Sequence, residues 1–320
     1  MSEPLTLFCF GAGFTAVELN RDLDREQWRA IGTTREAAGL FRLNRLGVEA
    51  HLFDRSHPLD SAAALLARAD FLLVSIPPDA EGDSVLDLHT PDIAAASARL
   101  RWIGYLSTTG VYGNTDGAWV DEDSPLRPTG ERSRRRVEAE RRWLAFGEEH
   151  GLPVHVFRLA GIYGPGRSSL DALRAGRAKR VDKPGQVFSR IHVTDIAQVL
   201  RASMARPTPG AVYNVCDDEP APASEVVAFA ARLLGMEPPP TVPLAEADLS
   251  PMARSFYADN RRVRNDRIKK ELGVELRYPT FREGLRACLA AEAQGAPATE
   301  SESSATVAHS RSRSGSSERR

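Results

Sequence analysis

The segment Phe10-Gly11-Ala12-Gly13-Phe14-Thr15-Ala16 carries a pattern suited to holding phosphate. It reads G-x-G-x-x-A, and each small residue meets a physical need. Gly11 permits a tight turn, Gly13 lets backbone approach a pyrophosphate, and Ala16 allows a helix to pack closely on a strand. If a helix starts here, the amides of Phe14 and Thr15 have no intrahelical acceptor and face an anion. Gly11, Gly13, Phe14 and Thr15 are therefore expected to seat a dinucleotide. A following stretch, Gly32-Thr33-Thr34-Arg35, bears on which one. An acidic residue at this point would suit the ribose hydroxyls of NAD, but here Arg35 stands 22 residues after Gly13, with Glu36 beyond it. A guanidinium on a 2′-phosphate contributes about 1.5–3 kcal/mol. NADP is the expected cofactor, with NAD the alternative if Glu36 takes the acidic role.

These residues need a rigid frame, and the flanking pattern supplies one. LTLFCF (5–10) is apolar without alternation, as in a strand buried on both faces. FTAVELNRDL (14–23) follows as a helix with Ala16, Leu19 and Leu23 on one face. Further strands are expected at 28–33, 48–52, 71–76 and 102–109, and strands separated by helical segments imply a parallel sheet with helices on both faces. In the second half, 154–164 reads as a strand running into a loop and 211–215 as a short strand. A helix lies within 189–205, with Thr194 as its cap, and another spans 224–235, opened by Ser224 and stopped by Gly235. Pro238–Pro240 marks a turn or linker.

Composition narrows the function classes. Apolar residues make up 42% and charged residues 27%, and the net charge of -1 gives no electrostatic footprint for nucleic acid or an anionic membrane. Cys9, Cys216 and Cys288 are widely spaced, so neither a disulfide framework nor a cysteine metal site is expected. The seven histidines form no metal-binding motif, so no metal is expected. No run approaches the roughly 18 apolar residues of a membrane span, and a cytoplasmic location is the expectation. Residues 294–320, rich in Ser and Arg, bury too little to repay ordering and are expected to form a disordered tail.

Four later segments, YLSTTGVYG (105–113), RLAGIYGPGR (158–167), RIHVTDIA (190–197) and YNVCDDEP (213–220), follow one another behind the glycine loop. In this order they resemble the extended short-chain dehydrogenase/reductases, the group of NAD-dependent epimerases and dehydratases. The resemblance spans roughly residues 5–289. It implies a Rossmann-type doubly wound parallel sheet with a small C-terminal substrate-binding subdomain. The expected division is a dinucleotide-binding core at 1–165, a mixed region at 166–293 and the tail. SIPPDAEGD (75–83) departs from the usual alanine-rich loop after the fourth strand, as in an atypical branch. Its Ser75 and Pro77 are expected beside the nicotinamide, together with Ser107.

The resemblance also implies a catalytic Ser/Thr, a Tyr, and a Lys four residues after the Tyr. Thr108 takes the first place. Counting back from Glu140 puts Arg132 at the Tyr position and Arg136 at the Lys position. Arginine stays protonated near neutrality, so Arg132 cannot shuttle a proton. Arg136 is still a candidate for holding the ribose or an anionic substrate, and Tyr112 or Tyr163 for moving the proton. The family's diphosphate-binding Arg is replaced by Phe188, leaving Arg190 as the candidate substrate anchor. The expected function is an NADP-dependent oxidoreductase or epimerase/dehydratase acting on a small polar hydroxyl or carbonyl compound. The alternative is a binding module, a sensor or scaffold that holds NADP without turnover. A homodimer through paired helices is a further implication of the resemblance.

Overall fold

Runs that are apolar at every position form strands buried on both faces. The computed structural model describes residues 3–294. The first half alternates β1 (Leu5–Phe10), α1 (Phe14–Arg21), β2 (Trp28–Thr34), α2 (Ala37–Arg45), β3 (Val48–Leu52), α3 (Ala62–Leu66), β4 (Phe71–Val74), α4 (Ser84–Ala95) and β5 (Trp102–Thr108). A 3-10 turn (Thr109–Tyr112), the two-residue β6 (Trp119–Val120), the long α5 (Glu131–His150) and β7 (Val154–Leu159) follow. The second half adds β8 (Gly161–Tyr163), α6 (Ser169–Arg174), β9 (Arg180–Asp182), β10 (Arg190–His192), α7 (Val193–Ala205), β11 (Val212–Val215) and α8 (Ala223–Leu233). It ends with β12 (Thr241–Pro243), α9 (Pro251–Phe256), β13 (Arg262–Val263), α10 (Asp266–Leu272) and α11 (Phe281–Ala293).

Seven strands form one parallel sheet in the order β11-β7-β5-β4-β1-β2-β3. This is a Rossmann-type fold. Strand order reverses between β1 and β4, and in open α/β sheets the crevice beyond such a switch point receives the ligand. Period-two alternation divides the core. Leu7 and Cys9 pack into one layer of helices, and Phe8 and Phe10 into the other. A third cluster, around Leu170, Val226, Phe281 and Leu285, joins α6, α8 and α11 apart from the sheet. Three small strand pairs, β8 with β10, β9 with β12 and β6 with β13, tie the second half across the top of the sheet. No described helix is long and apolar enough to cross a membrane.

Two expected helix starts move. His192, not Thr194, caps α7: its Nδ1 accepts the Thr194 amide at 3.2 Å, while the Thr194 hydroxyl donates to Glu18 at 2.7 Å. That bond links α7 to α1, and the side chain that makes it is no longer available for its own helix end. The helix expected from Ser224 starts one residue earlier, at Ala223, because Pro222 supplies a fixed entry without needing an amide acceptor. Apart from Gln294, the expected tail lies outside the described residues.

Candidate active site

The glycine loop occupies the tip of β1. Gly11 has φ +82°, where only glycine is at ease, and a Cβ there would lie 2.8 Å from Ile76 Cγ1. Its amide is held by the Thr33 hydroxyl at 2.9 Å, which couples the loop to β2. Gly13 differs: a Cβ there would meet nothing within 4 Å. α1 starts at Phe14 with no side-chain cap and no acidic residue in its first turn. The first amides of this helix thus open onto empty space beside a glycine, the arrangement a pyrophosphate requires. Gly164 and Arg167 close the far side, with the Arg167 guanidinium 5.6 Å from the Phe14 ring centre. Arg35 is exposed just past the end of β2.

Ser75 and Pro77 lie on the loop leaving β4, next to Gly11, and the Ser75 amide donates to the Phe10 carbonyl at 2.9 Å. Ion pairing of Arg55 with Asp79 and capping of α4 by Asp83 hold this loop; Asp83 also accepts the Trp143 indole at 3.1 Å. The switch point is therefore flanked by two fixed loops.

At the tip of β5, Thr108 Oγ1 accepts the Gly110 amide at 3.1 Å, which leaves its own proton to donate elsewhere. Gly110 lets side chains close in on the backbone: a Cβ built there would lie 3.4 Å from Thr108 Oγ1 and only 3.0 Å from Ser133 Oγ. Two part-exposed hydroxyls thus come together over this glycine. Sequence reading missed Ser133, which follows Arg132 by one residue. The signal was the polar run itself, read only at the positions counted back from Glu140.

Several sequence candidates have their polar groups committed elsewhere. Tyr112 is 0% exposed; its hydroxyl donates to Asn214 at 2.7 Å and accepts from Arg158 at 2.9 Å. Burial pushes its pKa up to about 12, so we withdraw it as a proton donor to the cleft. The buried Ser107 donates its hydroxyl to Glu140 and offers none to a cofactor. Glu140 in turn pairs with Arg158 at 2.9 Å, so an ion pair lies beneath the tip of β5. Arg136 turns back to the strand, donating to the Leu106 carbonyl at 2.7 Å and the Tyr105 hydroxyl at 3.3 Å. Arg132 is exposed at the start of α5. Tyr163 lies against α11, where Gly284 leaves room for its ring. Arg190 stands on β10, where its Nη1 donates to the carbonyls of Phe188 and Ala221. His192 and Asp195 organise the entry to α7: His192 caps it, and Asp195 accepts the amides of Arg277 and Tyr278.

A separate groove of about 930 Å³, lined in part by Gln27, Asp70, Arg99 and Arg101, opens at the amino-terminal ends of the strands. Ligands of open parallel sheets bind at the opposite end, so the crevice by Gly13 and Thr108 is the better candidate. Among the described residues, no His, Cys, Asp and Glu grouping could hold a metal ion.

The model of the NAD dependent epimerase/dehydratase family matches residues 92–216. The chain is 28% identical over 282 residues to protein YeeZ of Escherichia coli (strain K12), a match covering 84% of this chain and 94% of that one. It is 33% identical over 182 residues to a 3-diazoavenalumate denitrifying reductase of a Streptomyces species, covering 52% of this chain and 58% of that protein. A solved structure of a functionally unknown conserved protein from Silicibacter pomeroyi DSS has 55% identity and a TM-score of 0.82, covering 89% of this chain and 98% of that one.

Proposed function

Because the chain belongs to the NAD dependent epimerase/dehydratase family, among the extended short-chain dehydrogenase/reductases, we propose that it is an NADP-dependent reductase of a small polar carbonyl compound. The observation that carries this reading is the pair of part-exposed hydroxyls, Thr108 and Ser133, that meet over Gly110 at the tip of β5. Epimerisation and dehydration need a positioned acid and base. The positions the resemblance gives to that pair hold Arg132 and Arg136, and arginine stays charged. Reduction makes a smaller demand, because its proton can come from water reaching these part-exposed hydroxyls. The name of the Streptomyces relative is that of a reductase, which supports the same choice.

In this reading Gly11, Gly13 and the amides of Phe14 and Thr15 hold the pyrophosphate, and Arg35 meets a 2′-phosphate. Ser75 and Pro77 border the nicotinamide. When bound, the dinucleotide supplies the hydride. Thr108 donates its free proton to the substrate oxygen, and Ser133 offers a second donor as negative charge develops there. Arg136, fixed to the Leu106 carbonyl, keeps a positive charge against β5 two residues before Thr108.

The test is a fluorescence titration of wild type and Arg35→Ala with NADPH and NADH. We expect NADPH to bind at least about tenfold tighter, and Arg35→Ala to bring the two within about threefold. Binding of neither nucleotide overturns the reading. Tight NADPH binding with no reductase activity toward any carbonyl compound would favour the sensor or scaffold instead.

A further inference from the structure

The wall of the cleft beyond Thr108 is set by strand register. Thr108 pairs with Leu159, and two residues on, the exposed Gly161 pairs with Arg190. The Arg190 stem passes over that glycine: a Cβ on Gly161 would lie 3.8 Å from Arg190 Cγ. Arg190 Nη1 donates to the carbonyls of Phe188 at 2.7 Å and Ala221 at 2.9 Å. Its Nε and Nη2 take no protein acceptor, and neither is sealed from solvent. Arg190 forms no ion pair among the described residues.

The carboxyl facing Arg190 is drawn to its charge but forms no ion pair with it. Asp217 is 1% exposed, its Oδ2 is enclosed without a partner, and burial pushes its pKa up to about 8. The neighbouring Tyr163 hydroxyl is enclosed and unpartnered too. Beside Arg190 the part-exposed rings of Phe188 and Tyr257 meet edge to face, with centres 5.2 Å apart. The cations flanking this stretch are committed. Arg261 pairs with Asp259 at 3.1 Å and donates to the Gly113 carbonyl at 2.8 Å; Lys183 donates to Gln186 at 2.9 Å and to the Tyr257 carbonyl.

We propose that this wall is the substrate subsite for a monocarboxylate with a flat apolar body. The free nitrogens of Arg190 bind the carboxylate, and the Phe188–Tyr257 pair receives the body. With Arg261 and Lys183 committed, neither is spare to meet the second charge of a diphosphate, which disfavours nucleotide sugars here. The assignment rests on the reading of the β5 tip as the reacting centre, with the register running from Thr108 through Leu159 and Gly161 to Arg190.

The experiment is calorimetric titration of the full chain with cinnamate, cinnamamide and UDP-glucose, with and without saturating NADPH. Cinnamate is expected to bind at least about tenfold tighter than cinnamamide, and UDP-glucose more weakly than cinnamate. Arg190→Met should bring acid and amide within about twofold while its affinity for NADPH stays at the wild-type value, which reports an intact fold. Arg190→Lys keeps the charge and should retain part of the preference. Tyr257→Ala should weaken acid and amide by the same factor. Equal binding of acid and amide to wild type, tighter binding of UDP-glucose, or a preference that survives Arg190→Met overturns the subsite. The two readings fail separately. Loss of NADPH binding with the acid preference intact removes the cofactor assignment alone, and the reverse removes the subsite alone.

Discussion

At the tip of β1, a Cβ on Gly13 would find no heavy atom within 4 Å, and no side chain caps the helix that follows. At the tip of β5, Thr108 stands over the side chains of Arg158 and Glu140, 6% and 3% exposed and joined at 2.9 Å. Both tips serve one crevice, yet one is defined by what its side chains leave out and the other by charge held below it. The first presents uncapped backbone amides, whose positions follow from local geometry. The second depends on groups far apart in sequence: Ser107, Tyr112, Glu140, Arg158 and Asn214 form one buried network. Such a network costs desolvation and repays it only while every member is present. The two tips should therefore respond differently to substitution.

The largest effect is expected beneath β5. Glu140→Ala leaves the Arg158 charge buried with only the Tyr112 hydroxyl and the Glu122 carbonyl, and should cost about 3–5 kcal/mol of stability in urea unfolding. A loss under about 1 kcal/mol would erase the contrast between the tips. Gly13→Val should do the reverse. Its backbone is extended, so the residue fits, but its side chain fills the space for phosphate. Dinucleotide affinity should fall on the order of a hundredfold, about 2.7 kcal/mol, with unfolding shifted by about 1 kcal/mol or less. Equal damage to folding and binding would mean that the loop is only a turn.

The smallest effects sharpen the picture by pH. Burial lowers His192 from 6.5 to about 4, and its cap on α7 needs the neutral ring. Its contribution is present above pH 6.5 and lost as pH falls toward 4. His192→Ala should cost about 1 kcal/mol at pH 7 and flatten that acid loss. Asp217 has the opposite sign: with its pKa raised from 3.8 to about 8, it favours the folded state most at low pH and loses that contribution as pH rises toward 8. Relative to wild type, Asp217→Asn should be more stable at pH 8 than at pH 5. Parallel curves for all three proteins would show that neither group titrates as the burial implies.

Much of the fold was readable because its constraints are local. Apolar runs marked β1 and β4, since a strand buried on both faces admits few polar residues, and β2, β3, β5, β7 and β11 were placed to within a few residues as well. The two- and three-residue strands gave no such signal. β6 and β13 pair Trp119–Val120 with Arg262–Val263, and no periodicity exists in two residues. The candidate site divides in the same way. Gly11, Gly13 and Thr108 were proposed from motif and spacing, and the structure puts them at the tips of β1 and β5. Ser133 was not, because a helix phase one residue away from Arg132 decides which side chain faces Gly110. Nor could the sequence say that Tyr112 and Ser107 turn inward.

By itself, then, the sequence determined the glycine turn after β1 and the alternating frame that presents it, because turn geometry and strand burial act over a few neighbours. Only the tertiary structure decided which hydroxyls reach the cleft, which carboxyl faces Arg190 and which charges are paired out of water. Those outcomes depend on burial and on partners tens of residues away, and desolvation, which sets their chemistry, exists only once the chain has closed around them.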